Sequence, residues 1–329
     1  MNKFFNKIFS ILLMLDLGIF ISCSSDKVAD PIEVSPPEII WINRGLDSSM
    51  IYSILANSGY ILAGTNEGLF KSIGESWNHI NLDSTNRTVT DFYMNADGSI
   101  LAGTPNNGIY KSSDSGNSWV HIGLHNTGIT SLTADSQGKI FAGTRNGIYA
   151  SIVPYDEWWP VNSDFNNQIF SALLVTSQNT VFAGGTGVYR SDDNGRTWNI
   201  KNNGLGNWPV YSLISGKDGE IYAGADIGGF FRTTDNGESW TRSNTGMFNT
   251  EILSLAMNKD GHIFSGIWRG GVYRSTNGGN DWTPVDSGLT NKSVGTITIS
   301  TDDYLFAGTF RGIFRTEGKC TISSLKRFN

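Results

Sequence analysis

The stretch Ile61-Leu62-Ala63-Gly64-Thr65 decides the fold, because close copies of it recur along the chain. Six further copies keep two apolar residues, a small residue and a glycine, at positions 100–104, 140–144, 181–184, 221–224, 263–266 and 305–308. Their glycines are 39 to 42 residues apart, which is the period of a four-stranded propeller blade. The sequence therefore predicts an all-β fold, a single seven-bladed β-propeller of four-stranded antiparallel blades.

Each copy divides into four predicted strands separated by glycine-bearing turns. In the fifth copy the first strand is 210–213, and a turn at Asp218-Gly219 leads to the second strand at 221–224. The third strand follows another turn, and the fourth begins at a tryptophan. The small residue and glycine of the second strand indicate a close backbone approach between neighbouring sheets, where a larger side chain would not fit.

The seventh copy lacks a fourth strand, and the missing piece is found near the other end of the chain. After Phe314-Arg315-Thr316 no tryptophan follows, whereas residues 41–46 match residues 282–289 from the tryptophan through Gly-Leu. We therefore predict that residues 39–43 complete the last blade, because an open ring would leave unpaired strand edges. The propeller is assigned to residues 39–318, and residues 319–329 form a C-terminal tail that matches no repeat.

The turn between the third and fourth strands repeats an acidic side chain, a glycine and a tryptophan. Copies lie at 112–119, 191–198, 233–240 and, with asparagine in the acidic position, 275–282; two others, 72–77 and 151–158, are degraded. A short side chain of this kind accepts hydrogen bonds from turn N–H groups. Because a catalytic site needs different residues converging at one place, we assign a structural role to Asp114, Asp193, Asp235 and Asn277.

This turn resembles the Asp-box of BNR-type propellers, a family that includes sialidases, xyloglucanases, sortilin-like receptors and the photosystem II assembly factor. The resemblance implies a binding module, a carbohydrate-active enzyme or an assembly factor. The early Phe-Arg-Ile-Pro segment of sialidases is absent, and the chain lacks the second propeller of xyloglucanases. We therefore favour a non-catalytic binding module. A glycoside hydrolase or sialidase-like enzyme using Asp91, Glu67 or Asp226, and a scaffold factor, are the alternatives.

The first 22 residues have the pattern of a lipoprotein signal peptide. Lys3 and Lys7 precede an apolar stretch at 8–21, and Ser22-Cys23 resembles the lipobox of bacterial lipoproteins. The resemblance implies a lipid on Cys23, a tether at 23–38 and a place in the bacterial cell envelope, at the outer membrane or cell surface. An ordinary signal peptide with an incidental cysteine is the alternative.

Composition limits the partners. The net charge is −6 and the body of the chain has no Lys/Arg cluster, which argues against nucleic acid. The four histidines show no metal-ligand spacing with acidic residues. We expect no metal, no cofactor and a monomer whose partner is a protein or a carbohydrate.

Candidate binding residues lie on the face opposite the acidic turns, where loops converge on the channel of a propeller. Trp268-Arg269 and Phe310-Arg311 occupy equivalent turns, and Arg145 occupies the same slot in the third blade. Exposed aromatic side chains beside arginine suit a sugar ring or a protein partner. Two further candidates are Trp208, in a loop between blades, and Asp91, whose first-strand slot holds serine, alanine or threonine elsewhere. The alternative is that these aromatics cover neighbouring blades and that Asp91 faces water.

Overall fold

The computed structural model describes residues 38–83, 88–155, 157–161, 165 and 167–321. Every named element in this part of the chain is a β-strand, and no helix in it is long and apolar enough to span a membrane. The strands form seven four-stranded antiparallel sheets arranged as the blades of a propeller, which confirms the predicted fold. The predicted signal peptide, Cys23 and the tether up to residue 37 lie outside the described residues.

The first six blades each contain four strands that are consecutive in the chain. Blade I is β2 (Ile51–Ala56), β3 (Ile61–Thr65), β4 (Gly68–Ile73) and β5 (Ser76–Ile80). Blade II is β6 (Asp91–Met94), β7 (Ile100–Gly103), β8 (Ile109–Ser112) and β9 (Val120–Gly123). Blade III is β10 (Ile129–Ala134), β11 (Ile140–Thr144), β12 (Gly147–Ser151) and β13 (Trp159–Pro160).

The remaining blades follow the same order until the last one. Blade IV is β14 (Ala172–Val175), β15 (Val181–Gly185), β16 (Gly187–Ser191) and β17 (Asn199–Ile200). Blade V is β18 (Val210–Ser215), β19 (Ile221–Ala225), β20 (Phe230–Thr233) and β21 (Thr241–Arg242). Blade VI is β22 (Ile252–Met257), β23 (Ile263–Ile267), β24 (Gly271–Ser275) and β25 (Thr283–Pro284). Blade VII is β26 (Val294–Ile299), β27 (Leu305–Thr309), β28 (Ile313–Thr316) and β1 (Trp41–Asn43).

The two ends of the propeller meet in blade VII, as predicted. Strand β1 pairs antiparallel with β28, with Trp41 opposite Thr316 and Asn43 opposite Phe314. The strand itself covers residues 41–43, and Ile40 forms an isolated bridge to Ser287, beyond the outer strand of blade VI. The N-terminal strand therefore completes its own sheet and also contacts the preceding blade.

The hydrophobic core lies between blades, where the faces of neighbouring sheets pack together. The cluster that joins the two ends of the repeat combines Ile51 and Ala63 of blade I with Phe306 and Ile313 of blade VII. Equivalent clusters join each of the other neighbouring pairs. Burial of apolar surface between sheets thus stabilises the ring at every junction.

The glycine of the repeated second strand permits this close packing. A Cβ added at Gly64 would lie 2.2 Å from the carbonyl oxygen of Val89, which lies two residues before the first strand of blade II. The corresponding glycines of the other six blades would likewise clash with the next blade, with the nearest atoms 2.5 to 2.8 Å away. The predicted close approach between sheets is confirmed.

In blades I, III, V, VI and VII, the tryptophan near the start of the fourth strand donates its indole N–H to the adjacent blade. In blades II and IV the indole N–H bonds within its own turn. The indole Nε1 of Trp240 donates to the carbonyl of Lys201 at 2.9 Å, and Trp158 makes the same kind of bond to Ile122 at 3.0 Å. Blade III thus retains this contact although its acidic turn is degraded. A buried indole N–H requires such an acceptor.

The acidic turns form a repeated network of hydrogen bonds. Asp235 Oδ1 accepts from the backbone N–H of Ser239, and Asp235 Oδ2 accepts from the Ser239 hydroxyl. These bonds, together with one from Thr233, lower the pKa of Asp235 to about 2. In blade VI, Asn277 accepts from the N–H of Asp281 and donates its amide to the Asp281 carboxylate. Compared with Asp235 and Ser239 of blade V, the acidic and the neutral residue have therefore exchanged positions in the turn of blade VI.

The beginning of the predicted tail is docked on blades VI and VII. Cys320 is buried, its N–H donates to the carbonyl of Asp303, and its own carbonyl accepts from the Asn258 amide. Burial raises the pKa of the Cys320 thiol to about 11. The thiol therefore remains protonated and acts as a small apolar group.

Candidate functional site

A cavity of about 490 Å³ occupies the central channel of the propeller and is bordered by the first strand of every blade. Its described lining residues come from one short segment per blade: Ile51, Tyr52, Thr90, Asp91, Phe92, Thr130, Ser131, Leu132, Ser171, Ala172, Leu173, Tyr211, Ser212, Leu213, Leu253, Ser254, Gly295 and Thr296, with Phe310 from a turn. The cavity opens on the face that carries the turns between second and third strands and the connections between blades. We call this face the upper face.

β-bulges determine which residues border the channel. In five of the first strands the pairing register shifts by one residue, at Tyr52, Thr130, Tyr211, Leu253 and Gly295. A bulge re-aims the side chain of the extra residue, and all five of these residues line the cavity. Sequence reasoning missed them. The available signal was the position just before the repeated serine slot, where residue type varies strongly between copies.

The residues that line the channel differ between its two sides. Blades V, VII and I contribute the aromatic residues Tyr211, Phe310 and Tyr52, and we call this side the aromatic half. Blades II, III and IV contribute Asp91 and the hydroxyl-bearing residues Thr90, Thr130, Ser131 and Ser171, and we call this side the polar half. It also contains the apolar residues Phe92, Leu132, Ala172 and Leu173. Three of the four described aromatic residues that line the cavity thus lie on one side of the channel, and the carboxylate of Asp91 lies on the other.

Asp91 occupies the polar half and bonds to the next blade. Its Oδ2 accepts the backbone N–H of Leu132 at 2.7 Å. In blades V and VI, serines at the same slot accept an equivalent N–H at 3.0 Å. Burial raises the pKa of Asp91 to about 7, and hydrogen bonds from the N–H groups of Leu132 and Phe92 oppose the rise. Asp91 carries the one formal charge among the described residues that line the cavity.

Two aromatic residues that were predicted as binding residues, Trp268 of blade VI and Phe310 of blade VII, come together at the channel mouth. The rings of Trp268 and Phe310 meet edge to face, with centroids 4.3 Å apart and an interplanar angle of 74°. The Arg269 guanidinium lies 5.6 Å from the centroid of the Trp268 ring. The Trp268 carbonyl accepts a 2.6 Å hydrogen bond from the Asn249 amide, which fixes the turn. Because Phe310 lines the cavity, this cluster forms part of its rim.

The other predicted site residues lie away from the cavity lining. Arg145 and Arg311 are exposed on the upper face. Trp208 packs on the turn of blade V, since a Cβ added at Gly228 would lie 2.7 Å from the indole Cδ1. It nevertheless keeps 39% of its surface exposed, and Phe248, in the next connection between blades, is 95% exposed. The structure therefore brings Asp91 and the Trp268–Phe310 pair to the channel, and leaves these other residues at the periphery.

Two carboxylates lie near the aromatic half. Burial raises the pKa of Tyr211, and the charges of Asp226 and Glu251 raise it further. The pKa of Glu251 is itself raised by burial and by Asp226, while Arg269 lowers it. The described residues contain no group of three or more His, Cys, Asp or Glu side chains that could hold a metal ion. The upper face thus combines aromatic rings with both signs of charge.

Comparisons with known proteins identify the fold. No protein-family model matches the chain, and no curated protein sequence matches it. Among solved structures, the chain is similar to the extracellular domain of the putative one component system BT4673 from B. thetaiotaomicron, with TM-score 0.72, 19% identity and coverage of 86% of this chain. It spans 40% of that domain's length.

Two further structures show the same likeness. A streptogramin B lyase has TM-score 0.73 and 15% identity, with 85% of this chain and 97% of the lyase covered. PorZ, a bacterial surface component of the type-IX secretion system of Porphyromonas gingivalis, has TM-score 0.67 and 14% identity, with 82% of this chain and 46% of PorZ covered. At these identities the likeness shows the propeller fold alone.

Proposed function

We propose that this chain is a non-catalytic binding protein of the bacterial cell envelope, attached through a lipid on Cys23. Its ligand or partner, a carbohydrate or a protein, enters at the upper face. The observation that carries the proposal is the channel cavity of about 490 Å³ with its aromatic half and its Trp268–Phe310 rim. A concave site with aromatic walls and a few convergent polar groups is the usual form of a ligand site.

The similar structures support the envelope location. Two of them are described as an extracellular domain and as a bacterial surface component, and both are larger than this chain. The lyase likeness keeps an enzymatic alternative open, because one propeller fold hosts binding and catalysis. The BNR/Asp-box resemblance also includes enzymes. We favour binding because the acidic turns, the most conspicuous acidic motif, lie on the opposite face and their carboxylates are bonded to their own turns.

The test is capture of envelope components by the immobilised full-length lipoprotein in detergent. The double variant Trp268→Ala, Phe310→Ala removes the rim, and the matched control is Ile73→Ala, an exposed apolar residue on the opposite face. We expect the captured species, protein or glycan, to be lost with the rim variant and kept with the control. Identical capture by the parent and the rim variant, with unchanged thermal melts, would place the ligand elsewhere.

A screen of polysaccharides and chromogenic glycosides addresses the enzymatic alternative. Turnover that disappears in Asp91→Asn would replace binding by catalysis as the function of the channel. Absence of turnover, together with rim-dependent capture, is the outcome expected for a binding protein.

A further inference from the structure

The polar half of the channel presents hydrogen-bond acceptors. The Thr90 hydroxyl donates to the carbonyl of Ile129 at 2.6 Å, and the Thr130 hydroxyl donates to the carbonyl of Phe170 at 2.5 Å. A hydroxyl has one hydrogen and two lone pairs. Because both hydrogens are engaged in bonds to the next blade, each oxygen has lone pairs left with which to accept from a ligand.

Asp91 adds a carboxylate to these acceptors. An ionised carboxylate is an acceptor with room for about four hydrogen bonds, and the bond from Leu132 uses part of that capacity. No lysine, arginine or histidine is among the described residues that line the cavity. Asp91 therefore faces the channel without a cation from the described lining, and burying a carboxylate is costly unless it is paired.

The aromatic half, on the side of the channel opposite these acceptors, suits a ring or another flat apolar group of a ligand. Tyr52, Tyr211 and Phe310 line the cavity with aromatic rings, and the faces of such rings attract cations and pack against flat apolar groups. Gly295, in blade VII, has no side chain, and a Cβ at this position would lie 3.8 Å from the Phe310 ring. The carboxylates Asp226 and Glu251 lie near Tyr211 on this side of the mouth, and Arg269 lies near Glu251.

We propose that the channel binds a small ligand in which a protonated primary amine is joined to a ring, such as an amino sugar or an arylalkylamine. The ammonium group has three N–H donors, which match Asp91, Thr90 and Thr130. The ring lies against the aromatic half. A quaternary ammonium has no donor for these acceptors. This inference rests on the proposed function, because it names the chemistry that the channel recognises.

Binding is measured by calorimetry on the full-length protein in detergent, with two matched pairs of probes. One pair is glucosamine and N-acetylglucosamine, and the other is tyramine and its neutral alcohol, 4-(2-hydroxyethyl)phenol. In at least one pair the amine should bind about tenfold tighter than its neutral counterpart, as expected for hydrogen bonds to a charged group. The pair that shows the preference identifies the kind of ring.

The decisive variant is Asp91→Ser. Serine at this slot in blades V and VI accepts the N–H of the next blade, so the substitution keeps the contact between blades and removes the charge. We expect it to abolish the amine preference. Asp218→Asn removes an equal charge from an exposed turn on the opposite face and should leave the preference unchanged. If Asp91→Ser fails to fold, Thr130→Val replaces it and should reduce the preference.

The results that would contradict amine recognition differ from those that would contradict the proposed binding function. Equal binding of amine and neutral probes, no binding of any probe, or an amine preference that survives Asp91→Ser would overturn the inference. Rim-dependent capture of an envelope component would still support the proposed function in each case. If neither the amine preference nor rim-dependent capture is observed, the proposed function fails as well.

Discussion

The indole Nε1 of Trp41 donates a 2.6 Å hydrogen bond to the carbonyl oxygen of Val285, a residue 244 positions further along the chain. Trp41 is 2% exposed and lies in the strand that completes blade VII. On the other side of this strand, Trp77 of blade I donates to the carbonyl of Arg44 at 2.7 Å. The N-terminal strand is thus held by its own sheet and by both neighbouring blades.

Replacement of Trp41 by phenylalanine should therefore destabilise the whole ring. The variant leaves the Val285 carbonyl without its donor and removes part of a buried ring, at a cost of about 1–3 kcal/mol in the free energy of unfolding. Urea denaturation monitored by circular dichroism measures the change. Trp159→Phe is the control, since Trp159 is 37% exposed and should change stability little. Equal stabilities of the two variants would show that the closing contact contributes nothing specific.

The acidic turns lead to a prediction about exchange of partners. Asp235→Ala removes the acceptor of two bonds from Ser239 and should lower the free energy of unfolding by about 1 kcal/mol. The double variant Asp235→Asn, Ser239→Asp reproduces the arrangement of Asn277 and Asp281 in blade VI. It should recover most of the loss in a thermal melt. A double variant no more stable than Asp235→Ala would mean that the two arrangements are not interchangeable.

The blade number, the strand order and the closure of the ring were predictable because each depends on a local pattern that is repeated. A glycine such as Gly64 must recur wherever two sheets approach closely, and a missing outer strand after Thr316 leaves one unmatched tryptophan, Trp41, to supply it. Repetition thus converts one local constraint into the global fold. The bounds of β1 were less accurate, since residues 39 and 40 precede the paired strand.

The channel wall was not predictable in the same way, because it depends on what differs between copies. Tyr52, Thr130 and Gly295 occupy one bulged position with unrelated side chains, and no repeat pattern indicates where a bulge turns a residue. The pairing of Trp268 with Phe310 follows from their equivalent turns, yet the sequence could not show that their rings touch. Asp91 was recognised as unusual in its slot, whereas its bond to Leu132 required the structure.

The predicted lipid anchor is testable by fractionation. Cys23→Ala should move the protein from the membrane pellet to the soluble fraction and should abolish incorporation of labelled fatty acid, because stable anchoring needs the acyl chains. Cys320→Ala is the matched control: this second cysteine is buried, so the variant should stay in the membrane. A parent that carries no labelled lipid and is itself found in the soluble fraction, like Cys23→Ala, would favour the ordinary signal peptide, which is removed and leaves no anchor.

The raised pKa of Asp91 predicts a pH-dependent stability. Burial shifts this pKa from 3.8 to about 7 in the folded protein, so between those values the folded state holds a proton that the unfolded state has released. Stability should therefore fall as pH rises from about 4 to about 7, by no more than about 1.4 kcal/mol per pH unit. Asp91→Ser lacks this contribution, and its stability relative to the parent should increase over the same window.

Urea denaturation of the parent, Asp91→Ser and Asp218→Asn at intervals across this pH range measures the effect. Asp218 is exposed, so Asp218→Asn should follow the parent at every pH, whereas the curve of Asp91→Ser should diverge upward towards neutral pH. Amine binding should strengthen over the same range as Asp91 ionises, which links the stability change to the channel. Parallel curves for all three proteins would mean that Asp91 ionises as an ordinary solvated carboxylate, because only a burial penalty confined to the folded state separates them.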